Sequence, residues 1–67
     1  AIPSYVKAAT PNLNSGTKLA VALNGRIEAT TATWFESTTG RTVTAVNLPS
    51  GDFVDGANSV TFYRIPD

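Results

Sequence analysis

Five carboxylates, three arginines and a single tryptophan are the side chains of this 67-residue chain best suited to chemistry. Glu28 and Glu36 share one predicted strand and, an even number of residues apart, one face. A glycosidase pair needs carboxylates ~5–10 Å apart, whereas at ~3.3 Å per residue these two stand beyond ~20 Å. Pairings with Asp52 or Asp55 stay geometrically open, with nothing in the sequence to favour them. Asp52 and Asp55, in "SGDFVDG", could offer carboxylates to calcium, but a calcium loop needs more oxygen ligands than this stretch supplies. Turn formation and end capping are the preferred reading. Ser50, in "PSGD", lacks the Gly-x-Ser-x-Gly surround and has no histidine to activate it. No catalytic residue, metal ligand or cofactor is assigned.

Trp34 offers a different chemistry. An exposed indole beside Thr and Asn groups is a flat amphipathic platform for the apolar face of a sugar ring. Trp34, Thr33 and Arg26 are therefore the candidate carbohydrate-binding residues. Against this, a lone tryptophan serves more simply to fill one end of a small sandwich or to pack on a larger protein. Tyr5 and Tyr63 have the same standing, since aromatics on strands also stabilise cross-strand pairs. Arg26, Arg41 and Arg64 could meet an anionic polymer or lipid head groups, yet separated arginines among five acids read as an ordinary solvated surface.

Composition narrows the choices further. With no histidine and no cysteine, the commonest general base, the commonest metal ligand and any thiol nucleophile are missing. Five basic residues balance five acidic ones, so no basic patch for a nucleic-acid backbone is expected. No apolar run approaches the ~18 residues of a membrane span, and there is no signal-peptide pattern. The chain opens Ala1-Ile2-Pro3 without methionine, which leads us to expect an excised piece of a longer protein.

The elements that must position these residues are strands. Thr and Val, stiff at χ1 and suited to a pleated surface, dominate over the usual helix fillers. Ile2–Lys7 is the first predicted strand, with Pro3 near a sheet edge, and Ala8–Thr17 is a turn-rich crossing. Lys18–Leu23 and Arg26–Glu36 form a hairpin around Asn24-Gly25. A two-residue turn would set Val21 opposite Glu28. We therefore expect a three-residue turn over Leu23-Asn24-Gly25, pairing Val21 with Ile27 and Leu19 with Ala29. One buried face would then carry Leu19, Val21, Ile27, Ala29, Thr31 and Phe35. Arg41–Leu48 is the fourth strand, with Val46 and Leu48 inward. A short 3₁₀ turn carries Phe53, a tight turn follows at Asp55-Gly56, and Ser59–Ile65 closes the sheet with Val60 and Phe62 on one face. Asn24, Gly25, Gly56 and Asn58 are read as structural turn residues. The expected fold is all-β: one domain over 1–67, a small antiparallel sandwich or curled sheet of about five strands.

The order "IPSYVK … LAVALNGRIEATT … LPSGDFVDGANSVTFYRI" resembles a small extracytoplasmic β-domain of actinobacterial sulfatase-like membrane proteins. The resemblance rests on Ile2-Pro3 with Val6, on Leu19-Ala20-Val21-Ala22 running into Asn24-Gly25-Arg26-Ile27, and on Gly56 and Asn58 before Val60 and Phe62. More loosely, the hairpin and "DGAN" look like a reduced galactose-binding-type jelly roll. These are folding marks, so the resemblance implies an architecture and a setting and transfers no catalytic residue. It implies a non-catalytic accessory domain of an exported or membrane-anchored envelope protein, packed on the remainder of that protein. The alternative is a carbohydrate-binding module meeting cell-envelope glycan through Trp34. An independent enzyme is the remote third reading. Neither nucleic acid nor membrane insertion by this segment is expected.

Overall fold

The computed structural model describes residues 4–66. The chain is all-β, with six strands and one 3₁₀ turn: β1 (Ser4–Ala9), β2 (Lys18–Leu23), β3 (Arg26–Ala32), β4 (Trp34–Glu36), β5 (Arg41–Leu48), the 3₁₀ turn at Ser50–Asp52, and β6 (Val60–Arg64). They form two antiparallel three-stranded sheets, ordered β1-β5-β4 and β3-β2-β6. Of the expected opening strand, Ile2 and Pro3 lie outside the described residues, while Ala8 and Ala9 continue the strand rather than starting a turn. Among the described residues no helix is long and apolar enough to cross a membrane.

The hairpin corrects the expected register. Leu23 pairs with Arg26 around a two-residue Asn24-Gly25 turn, in which both residues have left-handed backbones (φ 53° and 82°). That is the turn whose twist matches the strands it joins. The clash foreseen between Val21 and Glu28 is avoided one step further on. Ala22 faces Ile27 and Val21 faces Ala29, so Glu28 is the extra residue of a β-bulge. Leu19 then faces Thr31, not Ala29. The consequence for Ile27 is a reversal: expected in the core, it points outward and is 56% exposed. Phe35, also expected inside, is exposed as well.

A second correction concerns the expected strand Arg26–Glu36. It breaks at Thr33, and the chain passes there from one sheet to the other. β4 pairs with β5 only over Arg41–Val43, which leaves the next stretch of that β5 edge without a ladder partner. Two threonine hydroxyls span the gap between the sheets. Thr31 Oγ1 donates to the Ala45 carbonyl at 2.8 Å, and Thr44 Oγ1 donates to the Ala32 carbonyl at 3.1 Å. Buried carbonyls need such partners when the ladder cannot supply them.

The core lies between the sheets toward the other end. Val21, Leu23, Val46 and Leu48 form its buried centre, with Val6, Ala29, Phe53, Val60 and Phe62 packed around it. Val46 and Leu48 point inward as expected, on the face shared with the fully buried Thr44. The 3₁₀ turn precedes Phe53 rather than containing it, and the Phe53 N–H closes it on the Ser50 carbonyl. Val60 and Phe62 face the core, while Tyr63 is exposed.

Candidate functional site

The outward face of β1-β5-β4 holds the densest set of functional side chains. Alternation along β5 places Arg41, Val43, Ala45 and Asn47 on this face, opposite buried Thr44, Val46 and Leu48. Their neighbours on the flanking strands are Tyr5, Lys7 and Ala9 from β1, and Trp34 and Glu36 from β4. Lys7 Nζ donates to Glu36 Oε2, and Thr39 Oγ1 donates to Glu36 Oε1 at 2.8 Å. Hydrogen bonding to Lys7, then to Thr39, holds the Glu36 carboxyl below its usual range, and the same bond raises the Lys7 ammonium. A depressed carboxylate stabilises the fold above its unfolded pKa and loses that contribution as pH falls through the folded value. Lys7, with its raised value, loses its share only as pH rises through the alkaline range.

The ion pair crosses β5. Lys7 sits beside Ala45 and Glu36 beside Arg41, so the line joining them passes over Val43, midway between. This accounts for an outward-facing valine that is only 4% exposed. To one side of the pair lies an open groove of about 270 Å³ lined by Lys7, Ala9, Glu36, Thr39, Arg41 and Val43. Trp34 stands on the other side and does not line it.

The three residues proposed from sequence for carbohydrate do not come together. Trp34 is exposed, as that reading requires. Thr33 is buried, with its hydroxyl turned inward: Oγ1 donates to the Asn14 carbonyl at 2.7 Å and accepts from the Thr17 N–H at 3.0 Å. Its position at the sheet-to-sheet corner is what withdraws it from the surface. Arg26 flanks the hairpin turn at the far end of β3, eight residues from Trp34 and on the order of 25 Å away at ~3.3 Å per residue. Trp34 stands beside Val43 of β5, a neighbour with no local sequence signal because strand order alone sets it.

The acids are divided between the two sheets. Glu36 belongs to the Lys7 pair. Glu28, the bulge residue, meets Asp52 of the 3₁₀ turn, with Arg26 Nε 3.6 Å from its carboxylate. Contact with Asp52, followed by partial desolvation, raises the Glu28 carboxyl above its ordinary 4.5. A raised carboxyl favours the folded state at acid pH, and that contribution fades as pH rises through the folded value. Replacing Asp52 by Asn should therefore raise the denaturation midpoint at pH 7 and flatten the fall of stability as pH rises above the ordinary 4.5 of the Glu28 carboxyl. Urea titrations at several pH values measure both. Among the described residues no group of three or more acids could hold a metal ion, and Asp55 lies in the bend before Gly56.

Two asparagines fix the loop at the hairpin end. Asn24 Nδ2 donates to Asn58 Oδ1 at 3.0 Å, and Asn24 Oδ1 accepts from the Ser59 N–H at 2.9 Å. Asn58 also accepts from the Val54 N–H and donates to the Val54 and Gly56 carbonyls. Gly56 takes φ 88° within that loop. The opposite end carries a polar cleft of about 180 Å³, where Asn14–Thr17 faces Lys18 and Arg64. Compared with protein-family models, with curated proteins and with solved structures, the chain matches none of them.

Proposed function

We propose that this chain is a non-catalytic accessory domain of an exported or membrane-anchored bacterial envelope protein, one with a sulfatase-like catalytic region. Its sequence resemblance supports that setting. The observation that carries the accessory role is the outer face of β3-β2-β6. Ile27 and Tyr63, 56% and 53% exposed, flank a floor of Ala20 and Ala22. Thr30 and Thr61 complete the face, which carries no acidic side chain over these rows. A flat alanine floor between two large exposed apolar groups suits close packing against another surface. The occupant in this reading is the remainder of the parent protein, on the extracytoplasmic side.

The test is oxidative footprinting of Ile27 and Tyr63 in the isolated domain and in the longer protein on intact cells. Strong protection of both in the longer protein is the expected result. Equal labelling in the two would end the accessory reading. Loss of labelling on intact cells with recovery after lysis would instead place the domain inside the cytoplasm.

A further inference from the structure

The groove beside the Lys7–Glu36 pair contains a second cation, Arg41, whose charge the fold leaves unmatched. Arg41 and Glu36 are ladder partners, yet both Glu36 oxygens are taken, one by Lys7 and one by Thr39. Among the described residues the ion pairs are Lys7–Glu36 and Arg26–Glu28, and Arg41 belongs to neither. Arg41 is exposed and lines the groove. The Lys7 ammonium, drawn across β5 to Glu36, lies at the same end and spends one of its three donors there. Two cations against one carboxylate leave the groove lining with one positive charge. Ala9 and Val43, side by side on β1 and β5, give it an apolar floor.

We infer that this groove binds a small monocarboxylate with a short aliphatic stem. A guanidinium presents a planar fork of donors that matches a carboxylate, and the remaining Lys7 donors add to it. One excess positive charge matches one negative charge, which disfavours inorganic phosphate and sulfate. Nucleic acids and acidic polymers need a track of cations, and here there are two, one of them paired. The Ala9–Val43 floor takes the stem, because apolar surface leaves water favourably when it meets apolar surface. At about 270 Å³ the groove falls just under the range of sites for drug-sized ligands, so its ligand has only a few carbons. The polar cleft at the opposite end is less well suited. Lys18 and Arg64 both line it, but alternation sends them to opposite faces of their sheet.

This inference goes beyond the accessory role and uses the other sheet, so each can fail alone. The probe is sodium butanoate, titrated to about 100 mM into the ¹⁵N-labelled chain while sodium chloride holds the ionic strength constant. Saturable shifts of the Arg41 Nε–H and of the Thr39, Arg41 and Val43 amides are expected, half complete on the order of 10 mM. Butanamide, with the same shape and no charge, should give no saturation over that range, and neither should sodium sulfate. Arg41→Gln should weaken butanoate binding about fivefold or more, whereas Arg26→Gln, on the other sheet, should leave it unchanged. Arg41 is exposed, so its replacement leaves the core intact. Absence of saturable shifts with butanoate overturns the inference, as does an Arg41→Gln variant of unchanged affinity. Equal binding of butanamide would leave the carboxylate without a role, and tighter binding of sulfate would make the groove a general anion site. Either result overturns it too.

Discussion

Leu48→Ala is expected to destabilise the domain by about 2–5 kcal/mol. At ~0.05–0.15 kcal/mol per residue, a chain this short has on the order of 3–10 kcal/mol in all. The substitution therefore removes a large fraction of the stability or unfolds the protein at 25 °C. Leu48 is fully buried and closes β5 at the point where both sheets and the Phe53 segment converge. Val21, Leu23 and Val46 surround it, with Val6, Phe53 and Phe62 beyond. Every strand that could collapse into the vacated space is already held by its own ladder, so the cavity stays largely open. Val54→Ala, in the exposed loop, is the matched control and should change stability by less than about 0.5 kcal/mol. Urea unfolding followed by far-UV circular dichroism measures both. A loss below about 1 kcal/mol for Leu48→Ala would mean that the apolar end is not where the stability resides.

Where sequence reasoning succeeded and failed follows from the range of the forces involved. The strands β2, β5 and β6 were legible because alternation is a local signal, as was the inward set ending in Val46 and Leu48. The hairpin was legible in kind, since Asn24-Gly25 favours left-handed backbone. Its register was misread because alternation alone cannot show a bulge. Inserting Glu28 opposite no partner keeps the short turn and still brings Val21 to Ala29. The break at Thr33 had no local mark either: a threonine in a threonine-rich strand looks like strand. Its role depends on Asn14 and Thr17, which only the folded chain brings near. The same holds on the outer face. Tyr5, Lys7, Trp34 and Glu36 share that face, and Lys7 reaches Glu36, because β5 lies between strands that are far apart in sequence. The sequence contained Trp34 as a candidate, while its true neighbours were set by strand order.

Thr33→Val tests that corner most directly, and a loss of about 1–3 kcal/mol is expected. Valine keeps the shape and β-branching of threonine, so the packing volume and strand preference hardly change. What disappears is the hydroxyl, which donates to the Asn14 carbonyl and receives the Thr17 N–H. The Thr17 N–H keeps a longer bond to the Asn14 carbonyl, at 3.2 Å, which places the effect below that of a fully orphaned pair. The backbone still ties the corner, since the Thr33 N–H donates to the Thr17 carbonyl and the Gly16 N–H to the Thr33 carbonyl, both at 2.9 Å. Thr33→Ser retains the hydroxyl and should recover most of the loss. Hydrogen exchange locates the damage. If the hydroxyl anchors the passage between sheets, the Trp34–Glu36 amides of Thr33→Val exchange faster than those of β2 at equal global stability. A Thr33→Val protein as stable as the parent, with β4 equally protected, would show that the backbone bonds alone hold the corner. In that case the three-residue β4, and with it the position of Trp34, would owe its place to the Arg41–Val43 ladder and the Lys7–Glu36 pair.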